Sequence, residues 1–148
     1  MPGLSNSLEA ALLDWMFKQT AFPTAPTQLH YSLHSADPGD TGANEISGGG
    51  YARAQLNPDP NNTTNTNYSA KQTDGTSQYI TNAADITFPQ ATANWNGGNA
   101  IQWVGVWSAS SGGTFYASFQ FQGSGVVVLN GNTLRLLGAT GQLRFQID

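Results

Sequence analysis

The chain of 148 residues contains no cysteine. Disulfides and thiolate metal sites are therefore excluded, and stability must come from apolar packing and backbone hydrogen bonds. Charge is scarce too: 9% of the residues are charged, against about 25% in an average soluble domain. Basic residues are fewest, with Lys18, Arg53, Lys71, Arg135 and Arg144 set against nine acidic side chains for a net charge of −4. They are scattered, so no basic stripe exists to neutralise a phosphate backbone or an anionic bilayer. Neither nucleic acid nor membrane is an expected partner. No apolar run is long enough to span a bilayer. The opening stretch MPGLSNSLEAALLDWMF lacks a basic n-region, and Glu9 and Asp14 break its apolar run. It does not read as a signal peptide, and synthesis in a cytoplasm is expected.

What the chain does have is aromatic weight and alternation. Aromatic residues make up 11%, and polarity comes from Asn, Thr, Ser, Gln and Gly. Low charge with alternating apolar segments reads as a folded β protein and not as a disordered one. Its weakly charged surface offers little repulsion against association. A single domain over residues 1–148 is expected, with about two thirds of its unfolded surface hidden.

Ser5 to Lys18 has helical spacing. Ser5 or Asn6 can cap it, and Glu9 completes a capping box with Asn6. Leu8, Ala11, Leu12 and Trp15 form an apolar stripe that Leu13 and Met16 widen. This helix and arm, residues 1–22, either covers the sheet or anchors the subunit to a neighbour through Leu8, Leu12 and Trp15. Pro23 and Pro26 end the helical region. Over 28–35, Leu29, Tyr31 and Leu33 alternate with His30, Ser32 and His34, which predicts a half-buried strand with outward histidines. The turn-rich segment 36–50 and the long polar loop 57–77 are expected at outward tips. Short strands are predicted over 51–56, 79–83, 86–88, 101–108 and 114–122, the last with Phe115, Ala117, Phe119 and Phe121 on one side. Asn130-Gly131 predicts a hairpin joining 126–129 to 133–136. In 141–147, Leu143, Phe145 and Ile147 are expected to face inward. The fold class is mainly β: an antiparallel β-sandwich or open barrel of about eight strands with one N-terminal helix.

Catalytic constellations are thin. His30 and His34 share a strand face roughly 13 Å apart, too far for one metal ion. No GxSxG elbow poises a serine. Asp37, Asp40 and Glu45 share one loop without the spacing of a calcium-binding loop. No catalytic, metal or cofactor site is expected. Trp95, Trp103, Trp107 and Tyr116 are the remaining features of interest. Trp103 and Trp107 lie four apart, so a strand puts them on one face. Such rings serve as core or subunit interface, or as a stacking platform for sugar rings.

Six segments taken in order, LSNSLEAALLDWMF, LHYSLHSADPGD, EISGGGYAR, ITFPQATANW, GVWSASSGGTFYASF and the terminal LRFQID, resemble a family of small structural proteins of tailed bacteriophages. Its members are tail-fibre-like, minor tail or head-decoration proteins. The polar stretch 57–77 and Trp107 depart from the family's pattern. The resemblance implies a virion component assembled in the host cytoplasm, with no catalytic residues to transfer. The resulting expectation is a non-enzymatic subunit, most simply a homotrimer, docked on capsid or tail proteins. The alternative is a carbohydrate-binding module that attaches to a host surface glycan.

Overall fold

The structure, a computed structural model, describes residues 3–58, 66–75, 77–121, 123–138 and 143–147, the last three by backbone alone. It is mainly β with antiparallel pairing throughout. In chain order come β1 (Gly3–Leu4), α1 (Asn6–Lys18), β2 (His30–His34), β3 (Ala54–Gln55), β4 (Gln72–Asp74), β5 (Ser77–Thr81), β6 (Ile86–Gln90), β7 (Trp103–Trp107), β8 (Phe115–Gln120), β9 (Thr133–Leu136) and β10 (Arg144–Ile147). The largest sheet has the order β1-β8-β7-β2-β3, a second β10-β5-β4, and β6 pairs with β9. Among the described residues none of these sheets closes into a barrel.

The alternation of β2 and β7 places the core. Cross-strand partners Tyr31–Val106 and Leu33–Val104 lie on one face. There they join Ile86, Phe88, Trp95, Ile101 and Leu136 in one buried cluster. The opposite face was expected to meet solvent, yet every residue of β2 and of β7 is buried. Both strands are interior to the sheet, and segment 35–46 folds back across their second face. Pro38 and Gly42 of that segment are buried. The turn-rich region is thus a cover as well as a tip.

Three further expectations are corrected. Phe115 does not share a face with Ala117 and Phe119. The ladder shifts register between Val106 and Trp107, and this bulge turns Phe115 to the second face, against Trp107 and His34. The chain does reverse at Asn130-Gly131, where Asn132 N–H donates to the Leu129 carbonyl at 3.0 Å. The flanking strands nevertheless part: β9 pairs with β6, and Val126 bridges Ile101. Stretch 57–77 is not all loop. Residues 59–65 and 76 lie outside the described residues, but Gln72–Asp74 is a strand paired with β5. Ahead of it, the Tyr68 hydroxyl donates to the Leu56 carbonyl at 2.8 Å and bonds the Tyr31 hydroxyl. At the C-terminus Leu143 is buried as expected; the side chains of Phe145 and Ile147 lie outside the described residues.

Candidate functional site

The second face of the large sheet holds the polar side chains that the sequence left pointing outward. His34 is fully buried. Its Nδ1–H donates to the Ala43 carbonyl at 2.6 Å, which leaves Nε2 to accept from the Ser32 hydroxyl at 2.6 Å. The Ser32 oxygen accepts from Trp107 Nε1–H at 2.7 Å. Burial pushes the His34 imidazole below its ordinary value. A serine hydroxyl on a histidine nitrogen is the start of a nucleophilic pair. Here the third group is a backbone carbonyl, and Ser32 and His34 have no exposed surface. No substrate reaches them, so this chain of bonds fastens the cover to the sheet.

Arg53 fastens the same cover from above. Its guanidinium lies 3.8 Å from the centre of a Trp107 ring. Nε and Nη2 grip both Glu45 oxygens at 2.9 and 2.7 Å, and Nη1 donates to the Ala109 and Gly112 carbonyls. Glu45 also accepts from the Tyr51 hydroxyl. The loop carboxylates therefore do not converge: Glu45 is spent on Arg53, and Asp37 accepts from Gly39 N–H. Among the described residues no three His, Asp or Glu side chains gather as a metal site.

The aromatic candidates are placed as follows. Trp95 is 1% exposed and lies in the main core, its indole N–H donating to the Gly49 carbonyl. Trp103 and Trp107 share the second face, as their spacing predicts, and both are buried. Stacking a sugar needs an open aromatic face, and these three rings present none. Tyr116 is half-buried against the core, and its carbonyl accepts from Ser5 N–H at 2.8 Å.

That bond marks the root of α1. β1 adds to the edge of β8 through Gly3–Ser118 and Leu4–Ala117. Ser5 then caps the helix, its Oγ accepting from Leu8 N–H at 3.4 Å, and Gln19 ends it in the left-handed region. No residue of α1 is buried. Leu8 is half-buried, whereas Leu12, Leu13, Trp15, Met16 and Phe17 are exposed by 37 to 75%. Beyond the helix, Phe22 packs edge-on against Trp15 at 6.0 Å and is itself exposed. The expectation that α1 covers the sheet fails for a physical reason. Both faces of β2 and β7 are already occupied, and the helix leaves from the sheet edge. Of the three residues expected to anchor the subunit, Leu8 is half-buried while Leu12 and Trp15 are exposed, and helical spacing alone carried no sign of how little covers them.

A family model described as podophage GP4 fiber I protein gp80 matches residues 3–146. No curated protein matches the chain. The match spans both the arm and the sheets, so the chain belongs to this family of tailed-phage fibre proteins and is a structural component of the virion.

Proposed function

We propose that this fibre-family member is a non-enzymatic subunit that works by docking, and that α1 is its docking element. The observation that carries the reading is the exposure of Leu12, Leu13, Trp15, Met16 and Phe17 on a helix with no buried residue. A 13-residue helix is marginal on its own in water, and most helices draw their stability from packing. An exposed apolar patch of this kind marks an interaction surface. The rest of the molecule supports the same reading. Among the described residues the Ser32–His34 pair is sealed, and the indoles of Trp95, Trp103 and Trp107 are consumed by packing. Copies of the chain and neighbouring virion proteins of tail or capsid are the partners in this reading. The fibre description of the matched family favours a fibre position over a head-decoration or cement position.

Particle assembly tests it. Phage carrying Leu12→Asp with Trp15→Asp should build particles from which this subunit is missing, while the isolated variant keeps the β circular dichroism of the parent. Normal incorporation of the double variant would remove α1 from the docking role.

A further inference from the structure

We infer that the open edge of segment 126–129 takes up an extended, uncharged peptide segment of another protein as an added β-strand. The inference rests on main-chain geometry and is independent of α1. Val126, Val127, Val128 and Leu129 form an apolar run dominated by valine, a residue that favours a pleated surface. The run alternates as a strand does. Val128 is 3% exposed and belongs to the core, whereas Val127 and Leu129 are 49% and 46% exposed. Its main chain alternates too. Val126 exchanges both backbone bonds with Ile101 at 2.8 Å, and the Val128 carbonyl accepts from Trp95 N–H at 3.0 Å. Successive residues of a strand direct N–H and C=O to opposite edges. Val126 and Val128 thus serve the inner edge, and Val127 and Leu129 the outer one. On that outer edge the Val127 N–H, the Val127 carbonyl and the Leu129 N–H have no partner among the described residues. The Leu129 carbonyl is used by Asn132 N–H within the turn. The hairpin partner that Asn130-Gly131 would have supplied is engaged elsewhere, since β9 pairs with β6.

These free groups say what fits. Donors and an acceptor at strand spacing are met together by another extended main chain, whereas a helix satisfies its own backbone internally. Backbone bonds then give affinity, and alternate side chains give specificity. Charge narrows the partner further. No charged residue occurs from Phe119 to Leu134. The edge thus lacks the lysines and inward charges that guard exposed edges elsewhere, and a charged strand would find no counter-ion on it. The two residues set opposite Val127 and Leu129 share their face and should be apolar. A second copy of the same edge is the poorer occupant. Two copies related by a twofold axis would set Val127 against Val127 and Leu129 against Gly125. Gly125 has a φ of 79°, which takes it out of the extended conformation. Such a pair keeps only the bonds at Val127, whereas a separate extended segment also engages Leu129 N–H.

Amide exchange of the full chain, followed by nuclear magnetic resonance with a capped peptide of alternating valine and serine, tests the inference. Alone and dilute, Val127 and Leu129 should exchange about tenfold or more faster than Val126, because of the three only Val126 N–H is bonded. At millimolar peptide both should slow by about tenfold or more, with Val126 unchanged. The same peptide N-methylated at its valines, which lacks the donors that face Val127, should leave them unprotected. Slow exchange of Val127 and Leu129 in the dilute free chain would show that the edge is closed and would overturn the inference. Absence of protection by the plain peptide would overturn it as well. Equal protection by the N-methylated peptide would reduce the contact to side chains and rule out strand addition. Protection that grows with the concentration of the chain itself, without peptide, would replace the proposed partner by a second copy. None of these outcomes bears on α1, whose docking role is decided by the incorporation of its own variants into particles.

Discussion

Arg53 shows how much a single side chain can organise in a molecule with few charges. Its side chain is 7% exposed, and its donors reach Glu45, Ala109 and Gly112 while its flat face covers Trp107. Lysine offers a point charge without the planar fork, so Arg53→Lys is not a conservative change here. It should cost about 2 kcal/mol or more, because the carbonyls of Ala109 and Gly112 lose their donor while Glu45 keeps only a single-point contact. Urea unfolding would check this, and a midpoint unchanged from the parent would show that the clamp is dispensable. Gly105 is constrained by space and not by dihedral angle. It sits opposite Ser32, and a methyl group there would come within 2.6 Å of His34 Nε2. Gly105→Ala should therefore destabilise by about 1–3 kcal/mol, read in the same titration, and an unchanged midpoint would show that His34 and Ser32 can yield the space. The alternation of 28–35 foretold which residues share the face of His34. That the face is buried was not readable, because nothing local in those residues says that segment 35–46 returns to cover them.

At the level of elements, α1 is an appendage held by its root and its cap. Ser5→Ala removes the side-chain acceptor for Leu8 N–H while leaving the Ser5 N–H bond to Tyr116 possible. A lost N-cap costs about 1 kcal/mol. Amide exchange over Leu8 to Leu12 should then speed up about fivefold, with β2 amides unaffected, since no α1 residue is packed into the core. Slowed or unchanged exchange in α1 would mean that its order comes from elsewhere. The helix, its Ser5 cap, β2, β7 and β8 were legible, because each carries a strong period or a capping signal, but the capping box expected at Asn6 with Glu9 is not the cap used, since Asn6 is already helical. β4 was not: Gln72, Thr73 and Asp74 are exposed on both faces, so no apolar alternation announces them. Nor was the partner of β9, since the Asn130-Gly131 turn specifies a reversal and long-range packing decides which strands pair. For the candidate site, the apolar character of α1 was on the page from the start. Its lack of cover was not, because periodicity reports which residues are apolar and not what lies against them.

The molecule as a whole has few ionisable groups, and the buried ones set the pH range in which it holds together. His34 is lowered by burial, and His30 by burial and by nearby Arg53. With folded values below 6.5, the unfolded chain binds more protons than the folded one as pH drops. The stability these neutral rings contribute is thus full above pH 6.5 and is lost as pH falls from there toward their folded values. At the alkaline end, burial raises Tyr31 strongly and pushes Tyr68 up to about 12. Their contribution is present below pH 10 and is lost as pH rises through about 12. Thermal melts should accordingly show a plateau near neutrality with a falling limb on each side. Protonating His34 at Nε2 would confront the Ser32 oxygen with two N–H donors, one from the imidazole and one from Trp107, and leave the serine proton without its acceptor. The acid limb is therefore a local loosening of the cover before it is a general unfolding. Replacing both histidines, as His30→Asn with His34→Gln, should lower the melting point at pH 8 but flatten its slope between pH 6.5 and 5. If the double variant keeps the parent's slope over that interval, the two imidazoles do not govern the acid limb, since carboxylates such as Asp85, lowered by the Gly138 N–H and by Arg135, lose their contribution only below pH 3.8.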